Sequence, residues 1–124
     1  FNIKLVGNSK NVYDFLFASD IYLTTSYYEG HPLSVLEAMS CGLPIIASDV
    51  IGNKDTIKHG DSGFLYELGN INELSYYLSK LIKSKELRKN FGMHALRSQR
   101  DNFNAFNMSQ KYKNIYFNCF KENY

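Results

Sequence analysis

Ile21-Tyr22-Leu23-Thr24-Thr25-Ser26-Tyr27-Tyr28-Glu29-Gly30-His31-Pro32-Leu33-Ser34-Val35-Leu36-Glu37 reads as strand, loop and helix in succession. Ile21 to Thr25 is rich in the β-branched and aromatic residues that suit strands. Pro32 fits the first helical position, where a missing N–H costs nothing. The helix it opens runs to Gly42, a good C-terminal glycine. Glu29 falls in the loop, and Glu37 sits about 7.5 Å up the helix at the usual rise per residue. Helical side chains lean toward the N-terminus, so Glu37 points back at the opening that Glu29 faces. Two hydroxyl-seeking acids thus flank a helix N-terminus, which attracts phosphate. A sugar nucleotide has that layout: sugar hydroxyls, then pyrophosphate, then ribose hydroxyls.

Outward from this unit the pattern repeats. Ile3 to Val6 reads as a strand ended by Gly7-Asn8-Ser9, with Asn8 or Ser9 capping a helix whose inner face is Val12, Phe15, Leu16 and Ser19. Pro44-Ile45-Ile46-Ala47 is apolar throughout, as a parallel strand covered on both faces should be. A short helix near Asn53 to Lys58 follows, then the turn cluster His59 to Gly63 and a fourth strand, Phe64-Leu65-Tyr66. From Asn72 a helix buries Leu74, Tyr77, Leu78, Leu81 and Ile82 at helical spacing. A second covers Glu86 to Gln99 through Leu87, Phe91, Ala95 and Leu96. The last, near Asn104 to Tyr124, carries Tyr112, Ile115, Tyr116, Cys119 and Phe120 as its stripe.

Strands alternating with helices predict an α/β fold, a Rossmann-like open parallel sheet flanked by helices, with a helical C-terminal end. Ligands of such sheets bind beyond the carboxyl ends of the strands. The loops leaving those ends are Gly7-Asn8-Ser9, Ser26 to His31, and Asp49-Val50-Ile51-Gly52. Glu29 lies in the middle one, and Gly7 and Asn8 are candidate residues of the nucleotide site.

The 124 residues make one domain, with an ordinary 44% hydrophobic and 21% charged content. A net charge of +2 is too small to point to nucleic acid as a partner. There is no apolar run of membrane-spanning length and no basic-then-apolar leader. Cys41 and Cys119 lack metal or C-x-x-C spacing and read as buried, reduced thiols of a cytosolic protein. The chain enters a strand at once, without an initiator Met, and reads as a piece of a longer one. Its Asn, Lys, Tyr and Phe content suits an A/T-rich bacterial gene.

Glutamates alone mean little, since a solvated Glu29 and a Lys-paired Glu37 are ordinary. Glu37, however, sits beside Leu36 and Ala38-Met39-Ser40-Cys41, where packing on most sides leaves a carboxylate needing a partner. Gly30 allows close approach of a ligand, and the N–H groups of Leu33 and Ser34 can bind phosphate; the same residues also make an ordinary turn before a helix. His31 is either a polar lid or a stabiliser of charge on a departing phosphate. His59 and His94 read as structural or exposed. Asp-x-Asp, G-x-G-x-x-G and Walker patterns are all missing, so neither a carboxylate-held metal nor NAD nor ATP hydrolysis is indicated. Lys80, Lys83, Lys85, Arg88 and Lys89 read as a solvated basic face, with attraction to a membrane surface as the alternative.

Residues 3 to 97 closely resemble the C-terminal domain of retaining GT-B glycosyltransferases of family 4, the group 1 transferases. The resemblance is carried by Ile3-Lys4-Leu5-Val6-Gly7, Leu16-Phe17-Ala18-Ser19-Asp20-Ile21 and Ser26-Tyr27-Tyr28-Glu29-Gly30. It continues through Leu36-Glu37-Ala38-Met39-Ser40-Cys41-Gly42-Leu43-Pro44-Ile45-Ile46-Ala47-Ser48 and Gly60-Asp61-Ser62-Gly63-Phe64-Leu65. It implies that Glu29 contacts donor-sugar hydroxyls and serves catalysis, and that Glu37 holds the ribose. Main-chain N–H groups around Gly30, His31, Leu33 and Ser34 would hold sugar and pyrophosphate, without a metal or other cofactor. Pro32 stands where many relatives carry a second glycine, so one amide contact is lost. The family's pyrophosphate-gripping Arg and Lys lie upstream of the segment that begins here.

The resemblance therefore implies residues 1–124 as the sugar-nucleotide-binding domain of a longer two-domain enzyme, inactive as a fragment. The donor would be UDP-linked, and the acceptor a glycan or lipid-linked molecule held by an N-terminal domain, toward which residues 104–124 would pack. Such a protein would build a bacterial surface polysaccharide, such as capsule, or a glycolipid. It would work in the cytoplasm, with peripheral association at the inner face of the membrane. The rival is a non-catalytic nucleotide-sugar-binding or interaction module of the same fold.

Overall fold

The computed structural model describes residues 2–121. Phe1 and residues 122–124, the end of the expected last helix, lie outside the described residues. The elements in chain order are α1 (Val12–Phe17), β1 (Tyr22–Thr24), α2 (Leu33–Ser40), β2 (Ile45–Ser48), α3 (Ile51–Thr56), β3 (Gly63–Tyr66), α4 (Ile71–Lys83), α5 (Lys85–Asn102) and α6 (Ala105–Lys121). The described strands form one parallel sheet in the order β1-β2-β3. Leu23 lies opposite Ile46, and Ile46 opposite Phe64.

Every residue of the central strand β2 is buried. Its pleat divides the core. Ile45 and Ala47 pack with Val35, Ala38 and Met39 of α2 and with Leu16, while Ile46 packs with Phe64, Tyr66 and Leu81 on the other face. Each fully buried Ile, Leu, Val or Met contributes about 1.5–3 kcal/mol, which makes the two faces the main source of stability. The all-apolar run in the sequence has this cause.

Helix α5 closes one end of both layers, with Ala95 in the first cluster and Phe91 in the second. Between them Gly92 lies so close to Gly42 that any Cβ there would strike the Gly42 carbonyl oxygen. Gly42 itself has φ 72°, the left-handed conformation that ends α2 as the sequence predicts. Asn70 caps α4 by accepting from Glu73 N–H, and Ser84 caps α5 by accepting from Leu87 N–H.

The structure departs from expectation in several places. Ile3 to Val6 is not a strand: it pairs with nothing in the sheet, and Ile3 and Leu5 are 80% and 94% exposed. Strand propensity is largely the benefit of packing and pairing with neighbours, which this segment lacks. Of the expected inner face of α1, Leu16 is buried while Val12 and Phe15 are exposed, and its N-cap is Asn11 rather than Asn8 or Ser9. Ile82 is exposed at the edge of the α4 stripe. Arg88 is not part of a solvated face. Its guanidinium donates to the carbonyls of Leu81 and Ile82 at 2.7 and 3.0 Å and lies 3.7 Å from Asp20, tying α5 to the end of α4. Tyr112, Ile115, Tyr116 and Phe120 of α6 are exposed, and Cys119 with them, because α6 runs along the surface; Cys41 is half-buried.

Candidate functional site

The loop from β1 to α2 is fastened to the sheet by its backbone. Ser48, fully buried at the carboxyl end of β2, donates its hydroxyl to the Ser26 carbonyl at 2.5 Å. The buried Asn53 side chain in turn donates to the Ser48 carbonyl at 2.9 Å. Gly52 N–H, at the start of α3, donates to the Glu29 carbonyl at 3.0 Å. The approach is so close that a Cβ on Gly52 would lie 2.5 Å from that same oxygen and 2.7 Å from the Gly30 carbonyl oxygen. Carbon contacts are ordinarily about 3.5 Å, so only glycine fits. The predicted loop Asp49 to Gly52 thus meets the predicted loop Ser26 to His31.

Within this frame Glu29 is half-buried, and its Oε1 accepts from the Ser26 hydroxyl at 2.7 Å. Gly30 is open, with no atom of the described residues beyond its chain neighbours within 4 Å of where a Cβ would stand. His31 is exposed, its ring centroid 6.1 Å from that of Phe103. Pro32 is buried and is the N-cap of α2 rather than its first residue, one position from expectation; its carbonyl accepts from Leu36 N–H at 3.1 Å. Among the described residues no side chain caps α2, and Leu33 and Ser34 are exposed at its start. Neither of their N–H groups donates to another described residue, which leaves both unused at the positive end of the helix dipole, the arrangement that takes up phosphate.

Glu37 stands on the half-buried side of α2, and its carboxylate takes no hydrogen bond or ion pair from the described residues. A carboxylate accepts through two oxygens, enough for both neighbouring hydroxyls of a ribose. Gly7, with φ 70°, and Asn8 lie exposed in the segment before α1, and no hydrogen bond joins them to Glu29 or Glu37. The structure thus brings Glu29, Gly30, His31 and the start of α2 into one loop-helix junction. Among the described residues no three His, Cys, Asp or Glu side chains gather as a metal site would need. His59 accepts from Leu65 N–H at 3.1 Å and His94 pairs with Asp61 at 2.8 Å, structural roles both.

Sequence reasoning gives Gly52 only as the end of a loop, and it misses Ser48, Asn53 and Phe103 beside the site. Gly52 alone leaves a trace, as a glycine just beyond a buried strand.

A family model described as glycosyl transferases group 1 matches residues 2–97. The chain belongs to that family. This group 1 glycosyltransferase domain is 33% identical over 120 residues to the N-acetyl-alpha-D-glucosaminyl L-malate synthase of Bacillus anthracis, covering 97% of this chain and 32% of that protein. It is 38% identical over 85 residues to the UDP-Gal:alpha-D-GlcNAc-diphosphoundecaprenol alpha-1,3-galactosyltransferase of Escherichia coli, covering 68% of this chain and 22% of that protein. Among solved structures it matches S. aureus TarM in complex with fondaparinux, alpha-GlcNAc-glycerol and UDP. The TM-score is 0.86 at 29% identity, over 91% of this chain and 23% of that one. The chain spans between 22% and 32% of the length of these relatives. The parallel sheet flanked by helices is the fold of GT-B glycosyltransferases.

Proposed function

We propose that this domain binds the donor half of a UDP-sugar in a retaining, family 4 glycosyltransferase that builds a bacterial surface polysaccharide or glycolipid. The observation that carries the reading is the uncapped start of α2, with half-buried Glu29 in the loop before it and, on the helix itself, Glu37, whose carboxylate has no partner among the described residues. The pyrophosphate lies on the N–H groups of Leu33 and Ser34, where the helix dipole also stabilises charge as the nucleoside diphosphate departs. Glu37 accepts from the ribose hydroxyls. Glu29 accepts from hydroxyls of the sugar and so holds the ring whose bond is broken, with Gly30 leaving room for it and His31 covering it. The UDP in the TarM complex and the UDP-Gal in the Escherichia coli relative's name support a uridine donor.

The full-length enzyme, in this reading, has a second domain that binds a glycan or lipid-linked acceptor and supplies the basic side chains for the pyrophosphate. The exposed aromatic stripe of α6 packs toward it. The isolated 124 residues then transfer no sugar. The reaction is metal-independent. Among the described residues no helix is long and apolar enough to cross a membrane; the proposed setting is the cytoplasm, with peripheral attachment at the membrane where a lipid-linked acceptor lies.

The test is a thermal-shift panel of UDP, GDP, ADP and their sugars on the full-length protein. A UDP-sugar at a hundred times its Kd should stabilise by about 2.7 kcal/mol and give the largest shift. A panel in which no uridine compound raises the melting temperature contradicts the reading.

A further inference from the structure

We propose that Ser26 is a positioning residue for the Glu29 carboxylate, an inference that rests on the donor-contacting reading of Glu29. The Ser26 Oγ lies 2.7 Å from Glu29 Oε1 and 3.1 Å from Thr24 Oγ1. An ionised carboxylate can only accept, so the Ser26 hydroxyl proton is directed at Glu29. Ser26 Oγ is then left to accept from the Thr24 hydroxyl. The direction of the relay follows: Thr24 at the end of β1 donates to Ser26, and Ser26 donates to Glu29.

The backbone of Ser26 is held as well. Its carbonyl takes the hydroxyl of Ser48, a residue with no exposed surface at the end of β2. Ser26 therefore links two adjacent strands to one carboxylate oxygen. A glutamate side chain on a half-buried loop otherwise samples several rotamers, and ordering it opposes binding. With Oε1 tied to the sheet, Oε2 is aimed before the ligand arrives and remains to accept from a sugar hydroxyl. Anchoring of this kind is what a reacting group needs from its supporting residues.

The test uses the full-length enzyme with Ser26→Ala, Ser26→Thr, Glu29→Ala and the Ser26→Ala/Glu29→Ala pair. Ser26→Ala should lower kcat about tenfold, the order expected when a carboxylate loses an orienting hydrogen bond. UDP affinity should stay within about twofold, since UDP lacks the sugar that Glu29 holds. Ser26→Thr keeps the hydroxyl and should restore most of the rate. In the Glu29→Ala background, Ser26→Ala should have no further effect. If Ser26→Ala keeps wild-type kcat while Glu29→Ala loses it, the positioning role is overturned and the donor site stands. An equal loss from Ser26→Ala in both backgrounds overturns it too, because Ser26 would then act without Glu29. A fall in melting temperature and UDP affinity that Ser26→Thr leaves uncorrected marks a merely structural role and likewise overturns the proposal. Unchanged kinetics in Glu29→Ala remove the donor reading itself and the proposal with it.

Discussion

Gly52→Ala puts one methyl group into the closest contact of the site. The new Cβ would stand 2.5 Å from the Glu29 carbonyl oxygen, 2.7 Å from the Gly30 carbonyl oxygen and 2.8 Å from the Glu29 carbonyl carbon, all backbone atoms that no rotamer change can move. Restoring normal contact requires a retreat of the loop by about 1 Å. Overpacking of this kind costs about 1–3 kcal/mol, and the 3.0 Å bond from Gly52 N–H to Glu29 is strained with it, at about 1 kcal/mol. Alanine in place of glycine within a helix returns about 0.5–1 kcal/mol. The net loss is about 1–3.5 kcal/mol. The same 1 Å shift moves the carboxylate of Glu29, and displacement on that scale can lower turnover about a hundredfold. The assay is donor turnover beside thermal unfolding of the full-length enzyme, with Gly92→Ala as reference. Gly92 meets the Gly42 carbonyl at the far end of α2, so its alanine variant should melt early but leave the turnover of folded enzyme intact. Gly52→Ala with wild-type melting temperature and wild-type kcat/KM would refute the close approach of α3 to the Glu29 loop.

Further expectations concern the acids, metals and alkaline pH. Glu29→Gln should lower kcat more than Glu37→Gln does, whereas Glu37→Gln should mainly raise the donor KM, each by about ten- to a hundredfold; near-normal constants in both variants would remove the donor from these residues. Excess EDTA should leave transfer unchanged, and an activity lost to EDTA but restored by Mn²⁺ would defeat metal independence. Burial pushes the Tyr66 phenol above its usual value of about 10. Below that pH the group is protonated in both states. Above it the unfolded chain ionises first, so stability is lost as pH rises from about 10 through the raised native value. Tyr66→Phe should flatten that decline, measured as the urea midpoint at pH 8, 10 and 11. Tyr77, raised by burial and then by its hydrogen bond to Glu73, accounts for part of what remains. Identical pH slopes with and without Tyr66 would exclude its contribution.

What can be read from the sequence is local. The apolar run Pro44 to Ala47 announces a central strand because every residue of β2 is buried, and Gly42 announces the end of α2 because its φ of 72° suits glycine. Ile3 to Val6 carries the same kind of signal, yet pairs with nothing in the sheet. A strand depends on neighbours that its own residues do not encode. Likewise the stripe on α6 has the spacing of a buried face while Tyr112, Ile115, Tyr116 and Phe120 stand exposed. Glu29 and Glu37 stand out as candidates by their spacing and by a known motif. The residues that hold Glu29 in place are not, since the Ser48 hydroxyl reaches the Ser26 carbonyl across 22 positions. Arg88 misleads for a related reason: a cation in a basic run looks solvated until the carbonyls of Leu81 and Ile82 are seen beneath it.

A crystal structure of the full-length protein with its intact nucleotide sugar tests the central claim most directly. The pyrophosphate should lie on the N–H groups of Leu33 and Ser34. Ribose hydroxyls should stand about 2.5–3.0 Å from the Glu37 carboxylate, and a sugar hydroxyl at the same distance from Glu29 Oε2. A nucleotide bound away from the start of α2, or one whose ribose and sugar leave both glutamates in water, would contradict the donor-binding role.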